Sequence, residues 1–157
     1  MISSAYQARE GCEPRVRPRF FPPAEESALI EAESSLGLKL PSELRCLLAE
    51  TDGMMEEMEL EDDWIEIGWT VWSTIELVAS NRRLRTATDC PSPLPPDLCV
   101  FFVNAGVDGV QFGLDLSRIE HESVPVFIWE PLEEVVRTIA PSLEAFLNGW
   151  LRGLYAI

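Results

Sequence analysis

Residues 24–53, AEESALIEAESSLGLKLPSELRCLLAETDG, decide the fold because their start and stop signals are the clearest in the chain. Apolar residues recur at helical spacing up to Leu36, and Gly37 follows where a helix often ends in a left-handed residue. Pro41 can open a helix but cannot continue one, and the turn signal at residues 52–53 ends the second helix. The stretch therefore predicts two short amphipathic helices joined by a fixed corner.

The rest of the chain must supply the strands on which these helices pack, since helices this short are marginal alone in water. Residues 98–103 are continuously apolar, residues 104–109 supply a turn and residues 110–116 return, which predicts a hairpin. Because its first strand is apolar throughout, we expect that strand to be central and covered on both faces. A buried strand is also predicted at residues 124–129, and residues 135–136 suit a short edge strand or a turn.

Two more helices complete the pattern. Ser73 or Thr74 can cap the third helix, and the last helix opens at residues 141–142 before a one-sided apolar stripe. The inward-facing residues expected in the third helix are Ile75, Val78 and Ala79. Together the elements predict a single α+β domain at residues 20–157, a mostly antiparallel sheet with flanking helices, after an N-terminal arm at residues 1–19. The arm is either mobile or a strap across the domain, and its arginines could fold back on the acidic body.

The charge of the chain limits its partners. The formal net charge is -15 over 157 residues, and the pI is near 4.3. Direct binding to nucleic acid or to an anionic membrane rewards positive charge, so an acidic protein attracts basic partners instead. The alternative interpretation is that the acidity only keeps the chain soluble. No stretch reaches the roughly 20 apolar residues that cross a bilayer, and no signal-peptide core is present, so we expect a cytoplasmic protein.

Cysteine and histidine usage argues against a metal or catalytic site. Cys12, Cys46, Cys90 and Cys99 are scattered without C-x-x-C spacing, and the single His121 is near none of them. The sequence does not exclude a disulfide, but it favours reduced cysteines. Cys46 and Cys99 lie in apolar runs, where we expect them to act as small buried hydrophobic residues. His121 has no neighbouring nucleophile context, which favours a solvated histidine. We therefore expect no metal, no cofactor and no catalytic residue.

The most acidic segment, MMEEMELEDDWIEIGW, follows Gly53. Its like charges repel one another and favour an exposed loop, before a strand from Trp64 to Trp69. A calcium loop would need the D-x-[DN]-x-[DN]-G order, which is missing, so a solvated loop and a partner-binding patch remain. Exposed charge of one sign beside aromatic residues suits recognition of a protein. The predicted partner-binding residues are Glu56, Glu57, Glu59, Glu61, Asp62, Asp63, Trp64 and Glu66.

The order of these motifs resembles the SUKH superfamily, which includes fungal cell-wall assembly regulators and many bacterial immunity proteins against polymorphic toxins. The matching opening residues are Glu33, Leu36, Gly37, Leu40, Pro41, Leu44, Leu48, Asp52 and Gly53. The later matching pieces are Pro96-Asp97-Leu98 leading into FFVNAGVDGVQFGLDL, then VPVFIW and SLEAFLNGWL. The resemblance covers residues 24–151 and implies an α+β fold.

The resemblance also implies a function. It implies an immunity protein that binds and neutralises a cognate toxin, and a basic toxin that cuts nucleic acid would fit the acidic charge. The acidic segment would steer such a toxin, while a few desolvated carboxylates and one aromatic side chain would hold it. The alternative is a non-catalytic regulatory or scaffolding module of the same fold that binds a cellular protein. An enzyme ranks third, and nothing in the sequence sets an oligomeric state.

Overall fold

A computed structural model describes residues 15–60, 63–86, 98–104, 109–118 and 123–152, with the side chain of Leu151 left out. The elements in chain order are β1 Val16–Phe20, α1 Glu26–Leu36, α2 Ser42–Glu50, β2 Met54–Leu60, β3 Asp63–Val71, α3 Thr74–Thr86, β4 Cys99–Asn104, β5 Gln111–Asp115, a 3-10 turn Leu116–Arg118, β6 Val126–Glu130, β7 Val135–Ala140 and α4 Leu143–Leu151. The strands are antiparallel and the helices flank them, which confirms the predicted α+β domain.

The strands form two sheets, ordered β1-β2-β3 and β4-β5-β6-β7. They meet just after β3, where the backbone N–H of Trp72 donates to the carbonyl oxygen of Phe102 at 2.8 Å. The two strands of the predicted hairpin are confirmed as β4 and β5, while residues 105–108 of its turn lie outside the described residues. The edge strand near residues 135–136 is confirmed as β7. The end of β3 therefore joins the smaller sheet to β4 of the larger one.

The expectation that the first strand of this hairpin is central is wrong, because β4 is the outermost strand of its sheet. It is nevertheless buried, since α3 covers its free edge. The Asn81 amide donates to the carbonyl oxygen of Phe101 at 2.7 Å and accepts from the Phe101 N–H at 2.9 Å. A side chain thus satisfies the backbone groups that a neighbouring strand would otherwise satisfy.

The two predicted helices of residues 24–53 form α1 and α2. Gly37 adopts the left-handed conformation, with φ of 67°, at the end of α1. The corner between the helices is held by Glu33, whose side chain accepts from the Leu40 N–H at 3.2 Å and from the Lys39 Nζ at 2.6 Å. Chiefly because of the hydrogen bond from Lys39, the pKa of Glu33 lies below its usual range, against the opposing effect of burial.

The apolar stripes of the helices and the sheets share one hydrophobic core. Leu44 from α2, Phe102 from β4, Phe127 from β6 and Phe146 from α4 all belong to the same buried cluster. The Phe146 ring lies 5.4 Å from Phe102, centroid to centroid, in an edge-to-face arrangement. Such ring pairs stabilise a core by about 0.5–1.5 kcal/mol beyond the area they bury. One core therefore supports both sheets.

The expected inward face of the third helix is confirmed at Val78, which is half-buried and packs against the core, and is wrong at Ile75 and Ala79. Ile75 is 80% exposed and Ala79 is exposed, whereas the helix buries Leu77 and Asn81. The hydrogen bonds of Asn81 with the backbone of β4 set which face of α3 is buried. The spacing of apolar residues alone does not reveal such a polar contact. The expected capping is confirmed, since the Ser73 hydroxyl accepts from the Glu76 N–H at 3.3 Å.

Cysteine placement differs from expectation at one position. Cys99 is buried as expected, but Cys46 is exposed because it lies on the outer side of α2. The remaining cysteines, Cys12 and Cys90, and His121 lie outside the described residues.

Candidate partner-binding surface

The acidic segment after Gly53 is not the exposed loop that its like charges favour. Met54–Leu60 forms β2, which pairs with β1 on one side and β3 on the other. The arginines of residues 15–19 lie beside the carboxylates and offset their mutual repulsion in this strand. Arg17 of β1 lies directly opposite Glu57 of β2 in the strand register. The prediction of a loop fails because it considered only charges close in sequence.

Three arginines, one just before β1 and two within it, alternate along residues 15–19 and so project from one face of the sheet. The Arg17 Nε donates to a Glu57 carboxylate oxygen at 2.8 Å. Arg19 donates to Glu66 of β3 at 2.7 Å and lies 3.5 Å from Glu57. Arg15 pairs with Glu59. We call this set the arginine ladder: Arg15, Arg17 and Arg19 with Glu57, Glu59 and Glu66.

The members of the arginine ladder differ in burial. The side chain of Glu57 is 8% exposed, whereas those of its partners Arg17 and Arg19 are 51% and 46% exposed. Exposed ion pairs contribute about 0.2–1 kcal/mol each, but a buried carboxylate that loses its cation is an uncompensated charge. Glu57 is therefore the position in the ladder that most requires a cationic neighbour.

Aromatic rings lie beneath the arginines. The Arg17 guanidinium lies 3.9 Å from the centroid of Trp64, and that of Arg19 lies 5.0 Å from the centroid of Phe21. Phe21 in turn stacks on Trp69 with a centroid distance of 5.3 Å. Contacts of a cation with a ring contribute about 0.5–1 kcal/mol at exposed sites. Trp64 is thus half-buried under an arginine of its own chain.

Glu56 lies apart from the arginine ladder because successive residues of a strand point to opposite faces. It is half-buried, and burial raises the pKa of Glu56, against the smaller opposing effect of a hydrogen bond from the Trp150 side chain. Trp150 also lines an apolar cavity of about 200 Å³ between the smaller sheet and the helices, together with Phe20, Leu47 and Met54. The described residues that line the cavity carry no charge.

The structure brings together four of the eight predicted partner-binding residues: Glu57, Glu59, Trp64 and Glu66. Glu56 faces the other way, and Asp63 is exposed at the end of the β2–β3 hairpin without an ion pair among the described residues. Glu61 and Asp62 lie outside the described residues. Binding of a partner by these residues stays a prediction.

The sequence analysis did not predict that the basic residues of this surface form a strand. The signal was present, because arginine recurs at every second position in RVRPR, residues 15–19, which is the period of a strand. The suggestion that the arginines of the arm fold back on the acidic body is confirmed for Arg15, Arg17 and Arg19.

The described residues offer little for other chemistry. No three histidine, cysteine, aspartate or glutamate side chains gather there as a metal site would require. An open groove of about 660 Å³ runs along the corner between α1 and α2, where its polar side chains are Lys39 and Ser42. No helix in the described ranges has the length and apolarity that a bilayer crossing requires.

Comparison with known proteins identifies the scaffold. Residues 23–149 match the model of the SMI1 / KNR4 family (SUKH-1). No curated protein matches the chain. The matched region includes β2 and β3 but begins after β1, so the basic strand of the arginine ladder lies outside it.

Proposed function

The chain belongs to the SMI1 / KNR4 family (SUKH-1), and from this premise we propose that it is an immunity protein that binds and neutralises a cognate toxin domain. Membership of this family is consistent with an immunity role or a regulatory role. We favour the immunity role because the net charge of -15 would attract a basic toxin of the kind that cuts nucleic acid. The proposed activity is binding, with no chemical step.

The observation that supports this proposal best is the acidic surface of β2 and β3, which the family match includes. Glu57 is the buried centre of this surface, and Glu66 and Asp63 lie exposed around it. A buried carboxylate surrounded by exposed charge has the arrangement of an interface hot spot with a polar rim. The surface would hold a basic patch of the toxin and thereby cover its nucleic-acid site.

Exposed carboxylates at the first helix are a second source of long-range attraction for a basic partner. Glu25, just before α1, and Glu31 within α1 are exposed and make no ion pair with any described residue. These charges, unlike those of the arginine ladder, are free to steer a cationic partner over about one Debye length, roughly 8–10 Å at physiological salt. The proposal thus assigns steering of the partner to the exposed carboxylates at α1 and its final contact to the acidic surface of β2 and β3.

Co-expression tests the proposal. A candidate toxin domain, the product of the adjacent upstream gene, would be expressed in bacteria with the wild-type protein, with Glu57→Gln or with Glu50→Gln. The last variant removes the same single charge from an exposed site outside the ladder. We expect protection by the wild type and Glu50→Gln and loss of protection with Glu57→Gln. Unprotected toxicity with the wild-type chain would contradict the proposal, and a stable complex with a harmless protein would favour the regulatory role.

A further inference from the structure

We propose that β1 occupies the site at which the partner protein binds. An extended basic segment of the partner displaces β1 and pairs with β2, and this segment carries cationic side chains at alternate positions. The inference rests on the proposed function in one respect, that the partner is a basic protein. It adds the conformation of the contacting segment, the edge that receives it and the segment of this chain that must leave.

The contacts of β1 describe what such a segment needs. Its main chain pairs with β2, as in the bond from the Glu59 N–H to the Arg15 carbonyl oxygen at 2.9 Å. Its side chains place a cation at every second position, where Arg17 meets Glu57 at 2.8 Å. Strand addition of this kind takes affinity from main-chain hydrogen bonds and specificity from alternate side chains. A basic strand of another protein can reproduce both sets of contacts.

β1 buries little of its own surface against the rest of the domain. All five of its residues are exposed, including Phe20 at 62%. Pro18 interrupts the row of N–H donors, as is common in edge strands. The ion pairs Arg15–Glu59 and Arg19–Glu66 are largely exposed and contribute about 0.2–1 kcal/mol each, so Glu57 is the charged contact that holds β1 most firmly. Departure of β1 therefore removes little from the core.

The chain is anchored immediately after β1, which provides a pivot. The Phe21 N–H donates to the Thr51 hydroxyl at 3.1 Å, and the same hydroxyl donates to the Phe21 carbonyl oxygen at 3.0 Å. The Asp52 N–H donates to the Pro22 carbonyl oxygen at 2.9 Å. β1 can thus swing away at Phe21 while the entry to α1 stays in place.

Glu57 makes the exchange selective. Departure of β1 takes the cations from the Glu57 carboxylate but also uncovers it to water, whereas a neutral strand in the same place would bury it again without a cation, at a considerable penalty. A strand that brings a lysine or arginine to the same position avoids that penalty, whereas a neutral or acidic strand does not. The limits of the family match are consistent with this arrangement, because β2 lies within it and β1 lies before it.

A peptide with the β1 sequence provides the probe, because it carries the proposed contacts without any toxin. The labelled peptide RVRPRFF, residues 15–21, would be titrated against the full chain by fluorescence anisotropy. A tethered strand competes at an effective concentration of roughly millimolar, so the wild type should bind the peptide weakly. The triple variant Arg15→Ala, Arg17→Ala, Arg19→Ala should bind it at least about tenfold more tightly. Adding Glu57→Gln to the triple variant should abolish the gain, and a peptide with glutamate for arginine should not bind.

A disulfide between β1 and β2 gives an independent measurement that keeps the arginines. Val16 and Met58 are direct cross-strand partners, so Val16→Cys and Met58→Cys place two thiols at suitable separation. The background would carry serine in place of three native cysteines: Cys12, Cys46 and Cys90. We expect the oxidised protein to bind the peptide at least about tenfold more weakly than the reduced protein.

Two results would overturn the inference: a triple variant that binds the peptide no better than the wild type, or equal binding by the oxidised and reduced forms. If the triple variant does not fold, the disulfide variant decides. Neutralisation of the toxin by the oxidised form would also overturn the inference while leaving the proposed function intact. Failure of the wild type to neutralise any toxin would remove the proposed function without altering the peptide result.

Discussion

Arg17 and Glu57 face each other across β1 and β2, with 2.8 Å between the guanidinium nitrogen and the carboxylate oxygen, and only the arginine is well exposed. The pair is therefore asymmetric. Loss of Glu57 leaves arginines that water can solvate, whereas loss of the arginines leaves a carboxylate that water can scarcely reach. The loss of stability on breaking this ion pair therefore depends on which of the two residues is removed.

We predict that the double variant Arg17→Ala, Arg19→Ala lowers the free energy of unfolding more than Glu57→Gln does. The expected losses are about 2–4 kcal/mol for the arginines and about 1–2 kcal/mol for the glutamate, because the first leaves a buried charge uncompensated. Urea unfolding monitored by circular dichroism measures both. Equal losses, or a larger loss for Glu57→Gln, would show that Glu57 is solvated.

Asn81 should be as important as a large apolar core residue. Asn81→Ala removes two contacts with the backbone of Phe101 and leaves a buried N–H and carbonyl without partners, at about 2–4 kcal/mol in total. The neighbouring Arg82→Ala, at an exposed position with one contact of 3.3 Å to the Ser35 carbonyl oxygen, should change stability by less than about 0.5 kcal/mol. Thermal unfolding compares the two variants, and similar midpoints would contradict the role of Asn81 as the cover of β4.

Two glycines with positive φ should respond differently to alanine. At Gly37, with φ of 67° and open space around the added methyl group, only backbone strain of about 1 kcal/mol is expected. At Gly53, with φ of 99°, the added carbon would lie 2.8 Å from the Ser73 backbone nitrogen and 2.8 Å from the Trp69 ring. We expect Gly53→Ala to lose at least about 2 kcal/mol more than Gly37→Ala, measured by urea unfolding. Indistinguishable midpoints would mean that the β2 entry does not pack as closely as described.

Glu33 and Glu56 should give opposite pH responses. The pKa of Glu33 is lowered, chiefly by the Lys39 hydrogen bond, so its contribution is present above its unfolded-state pKa and is lost as pH falls through the folded value. The pKa of Glu56 is raised, chiefly by burial, so its carboxylate destabilises the fold at neutral pH and that effect disappears on acidification.

Unfolding free energies of Glu33→Gln and Glu56→Gln from pH 7 down to about pH 3 test this. Glu33→Gln should be less stable than the wild type at pH 7, with the difference shrinking on acidification. Glu56→Gln should be more stable at pH 7, and its advantage should also shrink. A constant difference across the range for either variant would contradict the assigned cause.

Local signals in the sequence were sufficient for the helices of residues 24–53. Gly37 and Pro41 act on the backbone of their own neighbourhood, so their effect does not depend on the rest of the fold. The same holds for Ser142, which caps α4 by accepting from the Ala145 N–H at 3.0 Å. These elements could be predicted because the interactions that define them are contained in a few consecutive residues.

The errors have one physical origin, interactions between residues far apart in the chain. Like charges after Gly53 favour a loop until Arg17, which lies 40 residues before Glu57, supplies the opposite charge. The rotation of α3 is set by Asn81, whose partner Phe101 lies 20 residues away. No short window of sequence contains both members of such a pair, so local patterns do not predict the pairing of β1 with β2 or the cover of β4, although the alternation of arginines in residues 15–19 is a local signal of β1.

The central claim is that the acidic surface of β2 and β3 binds a basic toxin through Glu57. It is tested most directly by calorimetric titration of the toxin domain into the wild type, Glu57→Gln and the control Glu50→Gln at matched ionic strength. We predict saturable binding to the wild type and Glu50→Gln, and affinity lower by about 100-fold for Glu57→Gln, as for loss of a buried charged contact. Equal affinities for the three proteins would contradict the claim.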